Sequence, residues 1–195
     1  MPSSVCRKCA EPLAKAGTCS RCLAERSNLD RLYASYMYDS PVGTAIKEFK
    51  FEDIRALGPE LAALFNVEAM RRSNADIVIP VPLHFSRMRA RGFNQSEIIG
   101  RLLAGRLGVE FRKDVLARTR ITAPQTGQPT AVARQRAMAG VFETRRDVAG
   151  MRVLLVDDVF TTGSTVKSCA DARKAANASW VGVATLAVQP IGSLK

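Results

Sequence analysis

The stretch VLLVDDVFTTGST, Val153 to Thr165, constrains this chain more than any other part of it. Val153 to Val156 is apolar, rich in β-branched residues and free of breakers, the pattern of a strand buried on both faces of a parallel sheet. Two adjacent carboxylates, Asp157 and Asp158, end that run. Thr161, Thr162, Gly163, Ser164 and Thr165 follow, and Val166, Ala170, Arg173 and Lys174 then recur at helical spacing. An apolar strand leading through an acidic tip and a hydroxyl-rich turn into a helix implies an α/β fold, a parallel sheet flanked by helices. Ligands of such sheets sit beyond the carboxyl ends of the strands, where both aspartates are expected. Backbone N–H groups, hydroxyls and a helix N-terminus around one cavity suit a phosphate. Carboxylates repel phosphate, so Asp157 and Asp158 should face hydrogen-bond donors such as ribose hydroxyls. The plain alternative is a strand end followed by ordinary helix capping.

Ile77 to Val81 reads as a second buried strand. It opens into a basic loop carrying Arg87, Arg89 and Arg91, which Gly92-Phe93-Asn94-Gln95 closes. Ile98, Ile99, Leu102, Leu103 and Leu107 then mark a helix packed on the sheet, with Asn94 as its N-cap. Guanidinium forks at the end of a parallel strand match a diphosphate, although solvation or nucleic-acid phosphates would serve the same arginines. His84, the only histidine, reads as neutral and structural rather than as an acid or base.

Four of the five cysteines form the pairs Cys6-x-x-Cys9 and Cys19-x-x-Cys22. Such pairs make tight knuckles, and four thiolates meet the tetrahedral requirement of structural zinc. A disulfide pair fits a cytoplasmic protein poorly, and a redox pair would open a helix after a strand. With no open ligand position, zinc here would organise a ribbon too small to bury its own core. Cys169, alone on the helix after the hydroxyl-rich turn, reads as a core thiol.

Residues 1–30 are therefore expected as a ribbon with a polar linker from Ala24 to Asp30, and residues 31–195 as the main domain. Leu32 to Tyr38 suits a strand or hairpin, and Ser40-Pro41 opens a helix that includes Lys47 and Lys50. A second helical stretch spans Pro59 to Arg71. The Pro-, Gly- and Thr-rich centre of residues 112–130 should be a mobile loop, with Arg134 and Arg136 on a helical turn ending at Gly140. Trp180 to Val188 reads as the last strand, interrupted only by Gly182 and Thr185. Apolar stretches fall short of membrane-spanning length and MPSSVC lacks signal-peptide character, so a cytoplasmic protein is expected. A net charge of +11 calls for an anionic partner, whether a phosphorylated small molecule, nucleic acid or both.

The DDVFTTGST segment resembles the phosphoribosyl-pyrophosphate (PRPP) motif of type I phosphoribosyltransferases. Together with the double cysteine knuckle, Tyr38, Lys47 and Lys50, the IVIPVPLHFSRMRARGFNQS block and Arg118 to Phe142, it makes the chain similar to the ComF family over nearly its whole length. The resemblance implies that Asp157 and Asp158 are the catalytic, ribose-holding acids and that Thr161 to Thr165 cradle the 5′ phosphate. It also implies that Arg87, Arg89 and Arg91 hold a diphosphate carried with Mg²⁺, and that the 122–130 loop is a lid. The implied functions are phosphoribosyl transfer to an unknown acceptor, or a non-catalytic single-stranded-DNA-binding competence factor that senses PRPP. A third is a ribbon that docks a helicase or uptake protein. No residues specifying a purine or pyrimidine acceptor are evident.

Overall fold

The structure, a computed structural model, describes residues 4–25, 28–51, 54–119 and 141–189. The expected lid at 122–130, Arg134, Arg136 and the turn at Gly140 lie outside the described residues.

The core is a five-stranded, all-parallel sheet of order β1-β7-β6-β2-β3. Its strands are β1 (Arg31–Met37), β2 (Ile77–Pro80), β3 (Glu110–Phe111), β6 (Arg152–Phe160) and β7 (Trp180–Val188). A separate antiparallel ribbon pairs β4 (Leu116–Arg118) with β5 (Phe142–Thr144). The apolar runs read as strands are strands because both faces of the sheet are covered. Alternation sends Val153 and Leu155 of β6 to one face and Leu154 and Val156 to the other. The first face receives Val166, Cys169 and Ala170 of α7 (Ser164–Ala175), the β4–β5 ribbon and three of the N-terminal cysteines. The second receives α2 (Pro41–Phe51), α3 (Leu57–Ala63), α4 (Val67–Arg71) and α6 (Gln95–Leu107).

Several expectations change. β6 does not stop at Val156, because β7 continues beside it and pairs Val188 with Phe160, so both aspartates lie within the strand. β2 ends at Pro80 opposite Val156, which leaves Asp157 to Phe160 unpaired on that edge. The helical stretch from Pro59 is two helices, since Asn66 caps α4 by accepting the Ala69 N–H at 3.2 Å. α6 packs through Ile99 and Leu103, whereas Leu102 is 37 % exposed. The basic loop is instead a short helix, α5 (Phe85–Arg91), whose N-cap His84 accepts the Ser86 N–H at Nδ1 and whose αL cap is Gly92. The expected linker is anchored at its described ends: Leu29 is fully buried, Asp30 accepts the Val181 N–H, and α1 (Ser20–Ala24) occupies its start.

Candidate functional site

The path of the chain sets the site. α6 follows β2 on one face and α7 follows β6 on the other, so a crevice opens between the carboxyl ends of β2 and β6. Open parallel sheets bind ligands at such a switch point. Asp157 lies there, on the edge that β2 vacates.

Asp157 Oδ1 accepts from Ser96 Oγ at the start of α6 and from the Asp158 N–H, both at 3.0 Å. Burial, and then the adjacent Asp158 charge, push the Asp157 carboxyl up to about 7, against the pull of Lys50. Asp158 is 6 % exposed, and its Oδ1 meets Lys50 Nζ of α2 at 2.8 Å. Successive strand residues point to opposite faces, so the two carboxylates diverge. Asp157 lines a small cavity with Thr161, Thr162, Gly163, Ser164 and Thr165, whereas Asp158 is not part of that lining.

The cavity, about 30 Å³, is closed by the turn into α7. Gly163 has φ +74°, and a Cβ there would stand 2.4 Å from Phe160 Cζ, so both backbone and ring demand glycine. Thr162 Oγ1 and Ser164 Oγ are 2.9 Å apart, and the Ser164 N–H reaches Thr162 Oγ1 only at 3.4 Å. The first N–H groups of a helix lack intrahelical partners, and those of α7 begin at this cavity.

The arginines of α5 do not act as one group. At helical spacing Arg87 and Arg91 share a side and Arg89 points the other way. Arg91 donates to Gln95 Oε1 at 2.8 Å, and burial lowers its pKa against the attraction of Asp158, with Arg87 adding repulsion. Arg87 also repels Arg118 of β4, whose guanidinium lies 5.7 Å from the Phe142 ring centroid. Arg87 thus lies near both Arg91 and Arg118, and of the three Arg91 is the one drawn toward Asp158.

Residue-level reading had not placed Lys50, Ser96 or Thr185 in the site. Thr185 pairs with Asp157 across β6 and β7, is fully buried, and its hydroxyl has no partner among the described residues. Its signal was a hydroxyl inside an otherwise apolar strand. Lys50 had no comparable signal, since only the packing of α2 carries it to β6.

The cysteines converge as their spacing suggested. The Sγ atoms of Cys6, Cys9, Cys19 and Cys22 lie within 4.8 Å of one another, with Cys9 and Cys19 3.7 Å apart. Four sulfurs about 2.3 Å from a tetrahedral ion are separated by about 3.8 Å, so the donor set fits a metal ion. None of the four is in a disulfide. Cys6 Sγ accepts the Lys8 and Cys19 N–H groups at 3.5 and 3.3 Å, and Cys19 Sγ accepts the Cys22 N–H at 3.4 Å, which supports thiolate charge. The second pair opens α1, but among the described residues no strand precedes it. Cys169 is fully buried. Among the described residues no helix is long and apolar enough to cross a membrane.

Residues 94–195, more than half of the chain, match the phosphoribosyl transferase domain family. The DNA utilization protein YhgH of Salmonella typhimurium is 34 % identical over 86 % of this chain and 76 % of its own length. Competence protein F of Haemophilus influenzae is 29 % identical over 83 % of this chain and 74 % of its own. A purine phosphoribosyltransferase structure from Pyrococcus horikoshii, 20 % identical, overlays with a TM-score of 0.45 over 71 % of this chain and 78 % of that one. With its phosphoribosyl transferase domain and these relatives, the chain belongs to the ComF family.

Proposed function

We propose that the protein binds PRPP at the carboxyl end of β6. The observation that carries this reading is the placement of Asp157 beside the Thr161–Thr165 turn at the open edge of β6. The turn and the start of α7 would hold the 5′ phosphate through N–H groups and hydroxyls. Asp157 and Asp158 would accept from the ribose hydroxyls, and Arg87 and Arg91 would face the diphosphate. Mg²⁺ carried with PRPP would supply further neutralisation of the diphosphate charge. Transfer of the phosphoribosyl group passes through a cationic sugar, which the acids stabilise while the arginines hold the departing diphosphate. The four-cysteine site would hold a structural zinc ion, since it leaves no position open for substrate. Residues 1–30 would form the ribbon and residues 31–195 the transferase-like domain.

Calorimetric titration with PRPP and Mg²⁺ tests this, run beside Asp157→Ala with diphosphate release followed in the same samples. Binding in the wild type and its loss in the variant is the expected result, and release of diphosphate would mark an enzyme rather than a sensor. Wild-type protein that fails to bind PRPP would end the proposal. A second reading, a non-catalytic factor that binds single-stranded DNA, draws on the +11 charge and on relatives named for DNA utilization and competence. It predicts DNA binding that weakens steeply with salt and is indifferent to Asp157→Ala.

A further inference from the structure

Asp158 is held from outside the loop site. Lys50, in the last turn of α2, sets Nζ 2.8 Å from Asp158 Oδ1, with side chains 19 % and 9 % exposed. Removing one member of so enclosed a pair leaves the other charged with little water to screen it. α2 can deliver this lysine because Ile46 and Phe49 are fully buried against the sheet layer. Phe49 also packs on Phe93, with ring centroids 5.6 Å apart, and Phe93 directly precedes the Asn94 cap of α6. The helix that carries Lys50 thus braces the segment that carries Ser96, the hydroxyl donor to Asp157.

We propose that Lys50 is the positioning residue of the acid pair: it fixes Asp158 through their ion pair and sets its positive charge where it also favours an ionised Asp157 for an incoming sugar diol. This rests on the PRPP reading for the identity of the diol, but not for the behaviour of the pair itself. The groups that face the carboxylates are Lys50 from α2, Arg91 from α5, the Ser96 hydroxyl from α6, the Cys169 thiol from α7 and Thr185 from β7. Burial and the Asp158 charge raise the Asp157 carboxyl, and Lys50 is the strongest influence opposing them. Without Lys50, Asp157 should retain its proton at a pH where the wild type has lost it.

The test uses the metal-loaded full chain as wild type, Lys50→Met, Lys50→Gln and Lys50→Arg. Carbon-13 NMR of the aspartate carboxyls, without ligand, follows their titration. The uncharged variants should move the Asp157 midpoint up, since Lys50 opposes burial and the Asp158 charge there, and Lys50→Arg should restore it. Lys50→Gln serves the same purpose should Lys50→Met fail to fold. PRPP titration with Mg²⁺ then should show about tenfold or greater weakening at pH 7 in the uncharged variants, with the gap narrowing at pH 9. An unmoved carboxyl titration overturns the proposal. So does an equal loss of affinity at both pH values, which would make Lys50 a direct ligand contact. If the wild type does not bind PRPP at all, the ligand reading falls and the carboxyl titration alone decides the role of Lys50.

Discussion

Asp157→Asn should stabilise the fold while weakening PRPP binding. The Asp157 carboxyl titrates near 7 in the folded protein against a usual value of 3.8. Between those values the folded state holds the proton more tightly than the unfolded chain, so stability falls as pH rises from about 4 to about 7. Three pH units correspond to about 4 kcal/mol, an upper bound on what ionising this carboxyl costs the fold above pH 7. Asp157 is half-buried rather than enclosed, and screening by water brings the expected gain at pH 8 to about 1 to 3 kcal/mol. Asparagine keeps an oxygen to accept from Ser96 Oγ and the Asp158 N–H. Urea denaturation of both proteins at pH 5 and pH 8 reads the effect, because protonation of the cysteine site affects both alike. The variant should be the more stable, and by a wider margin at pH 8. A margin that is constant, or that favours the wild type at pH 8, would refute the reasoning that the site stores its binding power as a destabilised carboxylate.

Gly163→Ala should cost about 1 to 2 kcal/mol from the left-handed backbone alone. With its Cβ against Phe160, it should also reduce PRPP affinity at least tenfold by calorimetry, while circular dichroism stays that of the wild type. Arg91→Ala should weaken binding of PRPP or diphosphate several-fold and Arg89→Ala should not, since only Arg91 shares a helix side with Arg87 and lies near Asp158; equal losses would undo that division. Chelation should raise hydrogen exchange across residues 5–25 and lower the melting temperature, because Cys6, Cys9 and Cys22 share a buried cluster with Leu32 and Val153. Amides of β6 and β7 should stay protected, and their simultaneous loss would contradict a ribbon separate from the sheet.

Much of the site was legible because its parts are local. The run from Val153 through Gly163 carries strand, acid and turn within a few residues, and Gly163 can be read from sequence since glycine enters a left-handed turn at no steric cost. The two cysteine pairs are likewise local knuckles, and their convergence needed only a short connection. The arginines were legible as charge but not as geometry. Alternating arginines in a loop would all be available, whereas the α5 helix turns Arg89 away from Arg87 and Arg91. The packed face of α6 is narrower than the spacing suggests for a related reason: Leu102 satisfies helical spacing as well as Ile98, Ile99 and Leu103 do, and only the position of the sheet leaves it exposed.

By itself, the sequence determined the parallel α/β class, the two strands that bound the crevice, the glycine turn and the set of four sulfurs. These are properties of short segments, set by side-chain alternation, backbone conformational cost and ligand chemistry. The tertiary structure decided which groups surround the acids: Lys50 from α2, Ser96 from α6 and Thr185 from β7. It also decided that Asp157 and Asp158 diverge, because β7 continues alongside β6 past Val156 and keeps them within a pleated strand. Burial and charge at Asp157 are sums over elements far apart in the chain, and no local pattern encodes such a sum.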